Sequence, residues 1–276
     1  MSWPPEVAVL MDRRAEATAA PTSGSPAGAR PDRLAAAATS APRFALDVLA
    51  EVAATFGRRR TRLAGVVLNL VLALAYVGWS HWHPNRPEVF AAAHLGVAVV
   101  VWIMADVVNT NQLGADGEEV ADQLARGRGA ARILATKNLA LATVIVPVAV
   151  GVTLGAQLLA RHAPDLERAS LADVGAVFCW LGVGSVLSVL LPFRPLPWRD
   201  RLRARHTWVR WTVCLTTPWV VVLALEPGLA AADHAVGLTG PAGTLVLGVA
   251  CWGLGLTAAG RLARRRHRAL RHALRA

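Results

Sequence analysis

The side chains that could bind a metal or act as nucleophiles are few in this sequence. The triplet 81–83, His-Trp-His, could supply two metal ligands, but neither a carboxylate nor a cysteine stands beside it to complete the site. Histidines next to a tryptophan are also typical of an anchor at a membrane interface, which is the interpretation we favour. Cys179, Cys214 and Cys251 lie within apolar segments and are typical of packing thiols. The sequence therefore predicts no catalytic residue and no metal site.

Polar side chains within apolar segments are the second group with possible chemistry. An ionisable group in lipid is costly, so it is expected to face a neighbouring helix or a cavity. Asp106 is such a residue; we favour a local structural partner for it, and a role in moving an ion or substrate stays open. Three further candidates could form hydrogen bonds between helices: Asn69, Gln157 and Thr217. Gly151 and Gly155 have the G-x-x-x-G spacing that predicts a close helix contact.

Six apolar segments of nearly membrane-spanning length position these residues. Of the 276 residues, 54% are hydrophobic and only 17% are charged, whereas soluble domains carry about 25% charge. A helix needs about 20 residues to cross about 30 Å of hydrocarbon. The segments that come close to this length are 63–78, 89–108, 139–160, 171–191, 208–225 and 242–260. The sequence therefore predicts an all-α, polytopic membrane protein with six transmembrane helices in the region 63–260.

The position of the basic residues predicts how these helices are oriented. The formal net charge of +11 is, taken alone, compatible with nucleic-acid binding as well. Most of the 29 Lys and Arg residues, however, lie before the first segment, after the sixth, and in alternate loops between them. The positive-inside rule makes these regions cytoplasmic, including both termini. The charge therefore indicates a multi-pass membrane protein with both termini in the cytoplasm, without a nucleic-acid partner.

Three regions flank or precede the transmembrane segments. Residues 1–42 are rich in Ala, Pro, Ser, Gly and Arg, and we expect a disordered tail. Residues 43–62 predict an amphipathic helix in the membrane interface, with packing on another subunit as the alternative. Its apolar residues recur at every fourth position: Phe44, Val48, Val52 and Phe56. Residues 261–276 form a basic cytoplasmic tail, which we expect to attract anionic lipids of the bilayer.

The cytoplasmic loop 109–138, between the second and third segments, is the most informative polar stretch. Gly114 and Gly117 are typical of a turn. Acidic residues from Asp116 to Glu119 then begin a second helix, where the helix dipole favours negative charge. The sequence predicts a turn followed by an amphipathic helix, which is either a solvated connection or a docking surface.

The motif in this loop resembles that of a known family. Residues 111–117 are Asn-Gln-Leu-Gly-Ala-Asp-Gly, and Lys137-Asn138 follow at the start of the next segment. This pattern is similar to integral-membrane permease subunits of bacterial ABC exporters of the type-2 export kind. Their members show an N-x-F/L-G-x-D-G turn before a cytoplasmic coupling helix. The resemblance implies that a set of loop residues couples the protein to an ATPase: Asn111, Gly114, Asp116, Gly117, Glu118, Lys137 and Asn138.

The resemblance also implies partners and a division of labour. The expected partners are an ABC ATPase subunit and a second permease subunit, either identical or related. The sequence has no G-x-x-x-x-G-K-[ST] phosphate loop, so we predict that it is not an enzyme and holds no cofactor. ATP and Mg²⁺ would be bound by the partner ATPase. Two alternatives stay open: an ion- or proton-coupled secondary carrier with Asp106 as the titrating group, and a non-transporting membrane scaffold.

Overall fold

The structure, a computed structural model, describes most of the chain from residue 110 onward and one helix near its start. The described residues are 33–57, 67, 70–72, 74–75, 78, 110–159, 166–193, 208–221, 224 and 241–275. Their regular structure is helical throughout, which confirms the predicted all-α class for this part of the chain. The chain divides into two compact units, Met1–Pro42 and Arg43–Ala276, and the second contains the packed helices.

Seven helices with defined ends lie in the described residues. They are α1 (Arg33–Gly57), α2 (Gln112–Ala115), α3 (Gly117–Ala125), α4 (Ala130–Leu159), α5 (Leu166–Leu190), α6 (Pro241–Arg265) and α7 (His267–Arg275). Residues 208–221 are helical as well. Helix α1 begins at Arg33, within the segment expected to be a disordered tail, because the alanine-rich stretch that follows has a high helix propensity. Residues 1–32 of that expected tail lie outside the described residues.

Three of these helices are long and apolar enough to cross a membrane. The spanning stretches are Ala130–Gly155 in α4, Ser170–Leu190 in α5 and Gly243–Arg265 in α6. They coincide with the third, fourth and sixth predicted segments, so the predicted membrane character is confirmed for them. Of the other three predicted segments, 89–108 lies outside the described residues, and 63–78 and 208–225 are described only in part. Six spans therefore remain a prediction.

The tightest packing in the described residues joins α5 to α6 through glycines. Gly175 contacts Gly248, and Gly182 contacts Gly255, so closely that a Cβ atom on any of the four would overlap backbone of the other helix. The later glycine of α5 meets the later glycine of α6, and the earlier one meets the earlier one, so the two helices run parallel. The G-x-x-x-G pair on α4, Gly151 and Gly155, has no atom of the described residues within 4 Å of a Cβ built on either glycine. The close helix contact predicted there is therefore not made by any of the described helices, and it stays a prediction for the rest of the chain.

Helix α4 runs antiparallel to α5 and α6. Asn138, near the start of α4, donates a hydrogen bond to Ser185, near the end of α5. Ala131 lies against Gly260, near the end of α6. The start of α4 and the ends of α5 and α6 therefore meet at one end of the three helices, which we call the loop end.

Apolar side chains form two clusters in this part of the chain. One lies between α4 and α5, and the other fills the loop end. We call this cluster the loop core. It consists of twelve buried side chains from α2 to α7: Leu113, Val120, Ala121, Leu124, Ala130, Ile133, Leu134, Val189, Ala259, Ala263, Leu270 and Leu274. Because α2, α3 and α7 each contribute to it, these short helices are packed onto the ends of the three candidate spans and are not solvated connections.

Candidate functional site

The first half of the loop motif is fixed to the end of α5. Asn111 donates a hydrogen bond from Nδ2 to the carbonyl oxygen of Phe193, at 2.6 Å. Gly114 lies under the same carbonyl, and a Cβ at this position would overlap it. The need for glycine here therefore comes from a close approach to the segment that follows α5. Asn111 and Gly114 are both buried.

A buried hydroxyl completes the attachment of this turn. The backbone N–H of Gln112 donates to Ser188 Oγ at 2.9 Å, and the Ser188 hydroxyl donates to the carbonyl oxygen of Thr110 at 2.7 Å. Ser188 is on α5 and is itself fully buried. Ser188 thus provides a partner for one backbone group on each side of Asn111, the N-cap residue of α2. Buried backbone groups without partners would be costly. The sequence analysis did not identify Ser188, because its spacing from the motif carries no signal.

The second half of the motif contains a buried ion-pair cluster around Lys137. The ammonium of Lys137 donates to Glu51 Oε1 at 2.9 Å and to Asp116 Oδ2. The side chains of Lys137, Glu51 and Asp116 are only 5%, 13% and 10% exposed. Charges taken out of water are costly unless they are paired, so the three groups depend on one another. The cluster ties α4 to α1 and to the residue between α2 and α3.

Asn138 points to a different neighbour from Lys137. It is fully buried and donates from Nδ2 to Ser185 Oγ at 2.9 Å, while Ser185 donates to the carbonyl oxygen of Leu181 at 2.7 Å. The adjacent residues Lys137 and Asn138 therefore attach α4 to the loop and to α5, respectively. Both were selected from the motif alone, and the structure gives each a separate contact.

Helix α1 binds the loop through its acidic flank. Asp47 pairs with Arg128 and lies 3.6 Å from Arg132, while Glu51, one turn further along, reaches Lys137. Both basic partners of Asp47 lie at the junction of α3 and α4. The acidic flank of α1 is thus directed at the loop, and the location of the helix in the membrane interface stays a prediction.

The basic tail covers the loop helix. Leu270 and Leu274 of α7 are buried in the loop core together with Val120 and Leu124 of α3. A Cβ at Gly117 would overlap the carbonyl oxygen of Leu274. Gly117 was expected to serve a turn, but among the described glycines only Gly127 has a positive φ. The requirement at Gly117 is therefore close contact with α7.

The outer surface of the loop combines charges of both signs. Glu118, Glu119 and Asp122 of α3 are exposed, and Arg275 of α7 pairs with Asp122 at 3.0 Å. An open cleft along α7 is lined by Arg268, Arg271, His272 and Arg275. Glu118 is thus the one member of the predicted coupling set that is exposed, whereas most of the others hold the loop to the spans.

The predicted intramembrane polar residues are only partly described. Asp106 and Asn69 lie outside the described residues, and Gln157 falls on α4 at a position whose side chain is not described. Thr217 is half-buried within the helical stretch 208–221. The described residues contain no group of three or more His, Cys, Asp or Glu that could hold a metal ion.

An acidic residue that the sequence analysis did not single out lies inside a candidate span. Asp173 of α5 is fully buried, and neither of its carboxylate oxygens forms a hydrogen bond with the part of the chain that the structure describes. Its single charge in an apolar stretch was the signal that could have found it.

Comparisons with models of known protein families, with curated proteins and with solved structures give no match. The likeness to export permeases therefore stays at the level of residues 111–117 and 137–138. The contacts of the loop join it to α4, α5 and α6 at the same end of the three helices.

Proposed function

We propose that this protein is the transmembrane permease subunit of an ABC exporter, which moves a substrate across the cytoplasmic membrane with ATP hydrolysed by a separate subunit. The observation that carries the proposal is the double attachment of the loop motif. Its buried residues are attached to α5 and to α4, while the helix α3 beside it packs on α7, which follows α6, and presents exposed charge. This is the arrangement that a docking loop needs in order to move the helices behind it.

Each candidate span has its own link to α3. Asp116, at the start of α3, pairs with Lys137 of α4. The turn before it is bonded to Ser188 of α5. Helix α7, which continues from α6 after Arg266, packs on the other side of α3 through Leu270. A displacement of α3 by a partner would therefore act on all three helices at once.

The surface offered to an ATPase subunit consists of α3 and α7 together. Its acidic part is formed by Glu118 and Glu119, and its basic part by the arginines of α7. Patches of both signs favour a partner with complementary charges and fix the orientation of docking. In this proposal, six transmembrane helices place both termini in the cytoplasm, α1 lies in the interface, and a second permease subunit completes the exporter.

Co-purification with an ATPase subunit tests the proposal. The partner to look for is a protein with a phosphate-loop motif encoded beside this chain. The variant with Glu118→Lys and Glu119→Lys reverses two charges at exposed positions of α3, and we expect it to reduce ATPase binding and ATP-driven transport together. Arg43→Glu is the matched control, since it changes an exposed charge on α1. Full transport by the double variant, or no ATPase bound to the native protein, would contradict the proposal and favour a carrier or a scaffold.

A further inference from the structure

The transmembrane region contains a buried acid that the proposed coupling does not use. Asp173 lies on α5, three positions after Ser170, where the candidate span begins. It is therefore about 4.5 Å inside the span at a helical rise of 1.5 Å per residue. This is the end of the three helices opposite to the loop end.

Among the described side chains, Thr153 is the polar one that acts on Asp173. The hydroxyl group of Thr153 on α4 lies near the carboxyl group of Asp173. The hydroxyl and the two carboxylate oxygens nevertheless form no hydrogen bond with any described group. Both residues are buried. The next residues of α5 that pack against other helices carry no charge. They are Gly175, Ala176 and Val177.

Among the described side chains, no compensating charge lies close to Asp173 on the neighbouring helices. The charged or titratable residues within α4, within α6, on the rest of α5 with described side chains and in the helical stretch 208–221 are Arg132, Lys137, Cys179, Arg210, Cys214, Cys251, Arg261, Arg264 and Arg265. The nearest cation on α4, Lys137, precedes Thr153 by roughly 24 Å of helix and is already paired with two acids. Cys251 meets Cys179, more than a turn of α5 beyond Asp173. None of these groups supplies a counter-charge at Asp173.

The number of oxygen atoms indicates which ligand such a site can take. Hard metal cations such as Ca²⁺ need about six to eight oxygen ligands, and Asp173 with Thr153 provides two groups. A proton needs only one oxygen atom and no additional space. An ionised carboxylate buried without a cation or hydrogen bonds is so costly that the group takes up a proton instead.

We propose that Asp173 is a proton-binding site of the transmembrane region. It is the neutral acid while α4 and α5 are packed as described, and it loses its proton to water when this end of the two helices separates. Opening of the end opposite to the loop is therefore linked to release of one proton. The inference concerns the helices alone and does not depend on which energy source drives transport.

Infrared spectroscopy tests the protonation state directly. The sample is the full chain in lipid nanodiscs at neutral pH, and the comparison is the native protein minus Asp173→Asn. We expect the carbonyl band of a protonated carboxylic acid, which the variant loses. A difference spectrum that contains only bands of an ionised carboxylate would overturn the proposal.

Modification by dicyclohexylcarbodiimide provides a second measurement, which needs no variant. This apolar reagent adds to a protonated carboxyl group: the oxygen bonds to the central carbon, the acid proton moves to nitrogen, and rearrangement gives a stable N-acylurea without a leaving group. We expect peptide mass spectrometry to find the adduct on Asp173 and not on Asp122, whose side chain is exposed to water. Equal modification of both residues, or none at Asp173, would contradict a neutral buried acid.

The link to opening is tested by hydrogen exchange of the backbone around Thr153 and Asp173. The intrinsic exchange rate of an amide depends on pH equally in the native protein and in Asp173→Asn. The exchange rate of the native protein divided by that of the variant therefore isolates the effect of the carboxyl group. We expect the ratio to rise with pH, and Thr153→Val, which keeps the acid, to show the same rise. A ratio that is independent of pH would show that the proton is not linked to separation of the helices.

Discussion

Lys137 and Asp116 form an ion pair that closes the loop motif on itself. The two residues stand at opposite ends of the segment that contains α3, and Glu51 of α1 accepts a second hydrogen bond from the same ammonium. One buried cation thus joins the first described helix, the loop and the first of the candidate spans. This explains in physical terms why a lysine at the start of α4 accompanies an aspartate in the turn.

Replacing Lys137 should destabilise the whole loop end. Lys137→Met removes the cation that Asp116 and Glu51 share, and breaking a buried pair on one side costs about 3–5 kcal/mol. We expect a lower thermal unfolding temperature of the purified protein. Adding Asp116→Asn and Glu51→Gln should recover part of the loss, because the buried negative charges disappear. The control is Arg126→Met, an exposed position, which should unfold as the native protein does; an equal loss in both variants would contradict the assignment.

Gly117→Ala should release the basic tail from the loop helix. The new methyl group overlaps the Leu274 carbonyl oxygen, and overpacking of this kind costs about 1–3 kcal/mol. We expect faster cleavage by trypsin within α7, read by mass spectrometry. Gly129→Ala is the matched control, because a Cβ there meets no described atom within 4 Å. Identical cleavage of the two variants would show that α7 is not held at Gly117.

Oxidation should join α5 to α6. The sulfur atoms of Cys179 and Cys251 are 3.5 Å apart, and a disulfide requires a small further approach. We expect the membrane-permeant oxidant diamide, which accepts two electrons and two protons, to link these two cysteines and to leave Cys214 as a free thiol. Peptide mapping without reductant measures the link. Bonds between Cys214 and either of the others would contradict the packing described.

Larger side chains at the glycine contacts should separate α5 from α6. Gly182→Leu places a side chain where the backbone of Cys251 and Trp252 already lies, so we expect loss of folded protein in detergent, measured by size-exclusion chromatography. Gly151→Leu on α4 should be tolerated, since the described residues leave space around it. The reverse order of effects would show that α4 makes the close contact.

The sequence predicted the helices and the loop motif better than it predicted their partners. Apolar length alone identified the segments that became α4, α5 and α6, because burial in lipid requires nearly uniform hydrophobicity. The motif identified Asp116 and Lys137, but nothing in their spacing pointed to Glu51. Partners of this kind come from tertiary packing, which joins residues at arbitrary separations.

The glycine contacts show a second limit of sequence reasoning. The spacing of Gly151 and Gly155 suggested a close contact, whereas among the described helices the close contact is made at Gly175 and Gly182, seven positions apart. A small residue permits a close approach only where a neighbouring helix happens to lie. In the same way, the prediction for the basic tail 261–276 rested on its charge alone. It did not consider Leu270 and Leu274, which pack the tail into the loop core.

The cover that α7 places over α3 has a consequence for biosynthesis. A ribosome makes Val120 and Leu124 long before it makes Leu270 and Leu274, since three candidate spans are inserted in between. During that interval the apolar side of the loop helix lacks the cover of α7, and incompletely covered apolar surface is the condition under which chains aggregate or recruit chaperones. The loop end is therefore completed late in synthesis. A protein truncated before residue 267 should still insert into the membrane but should be prone to aggregation.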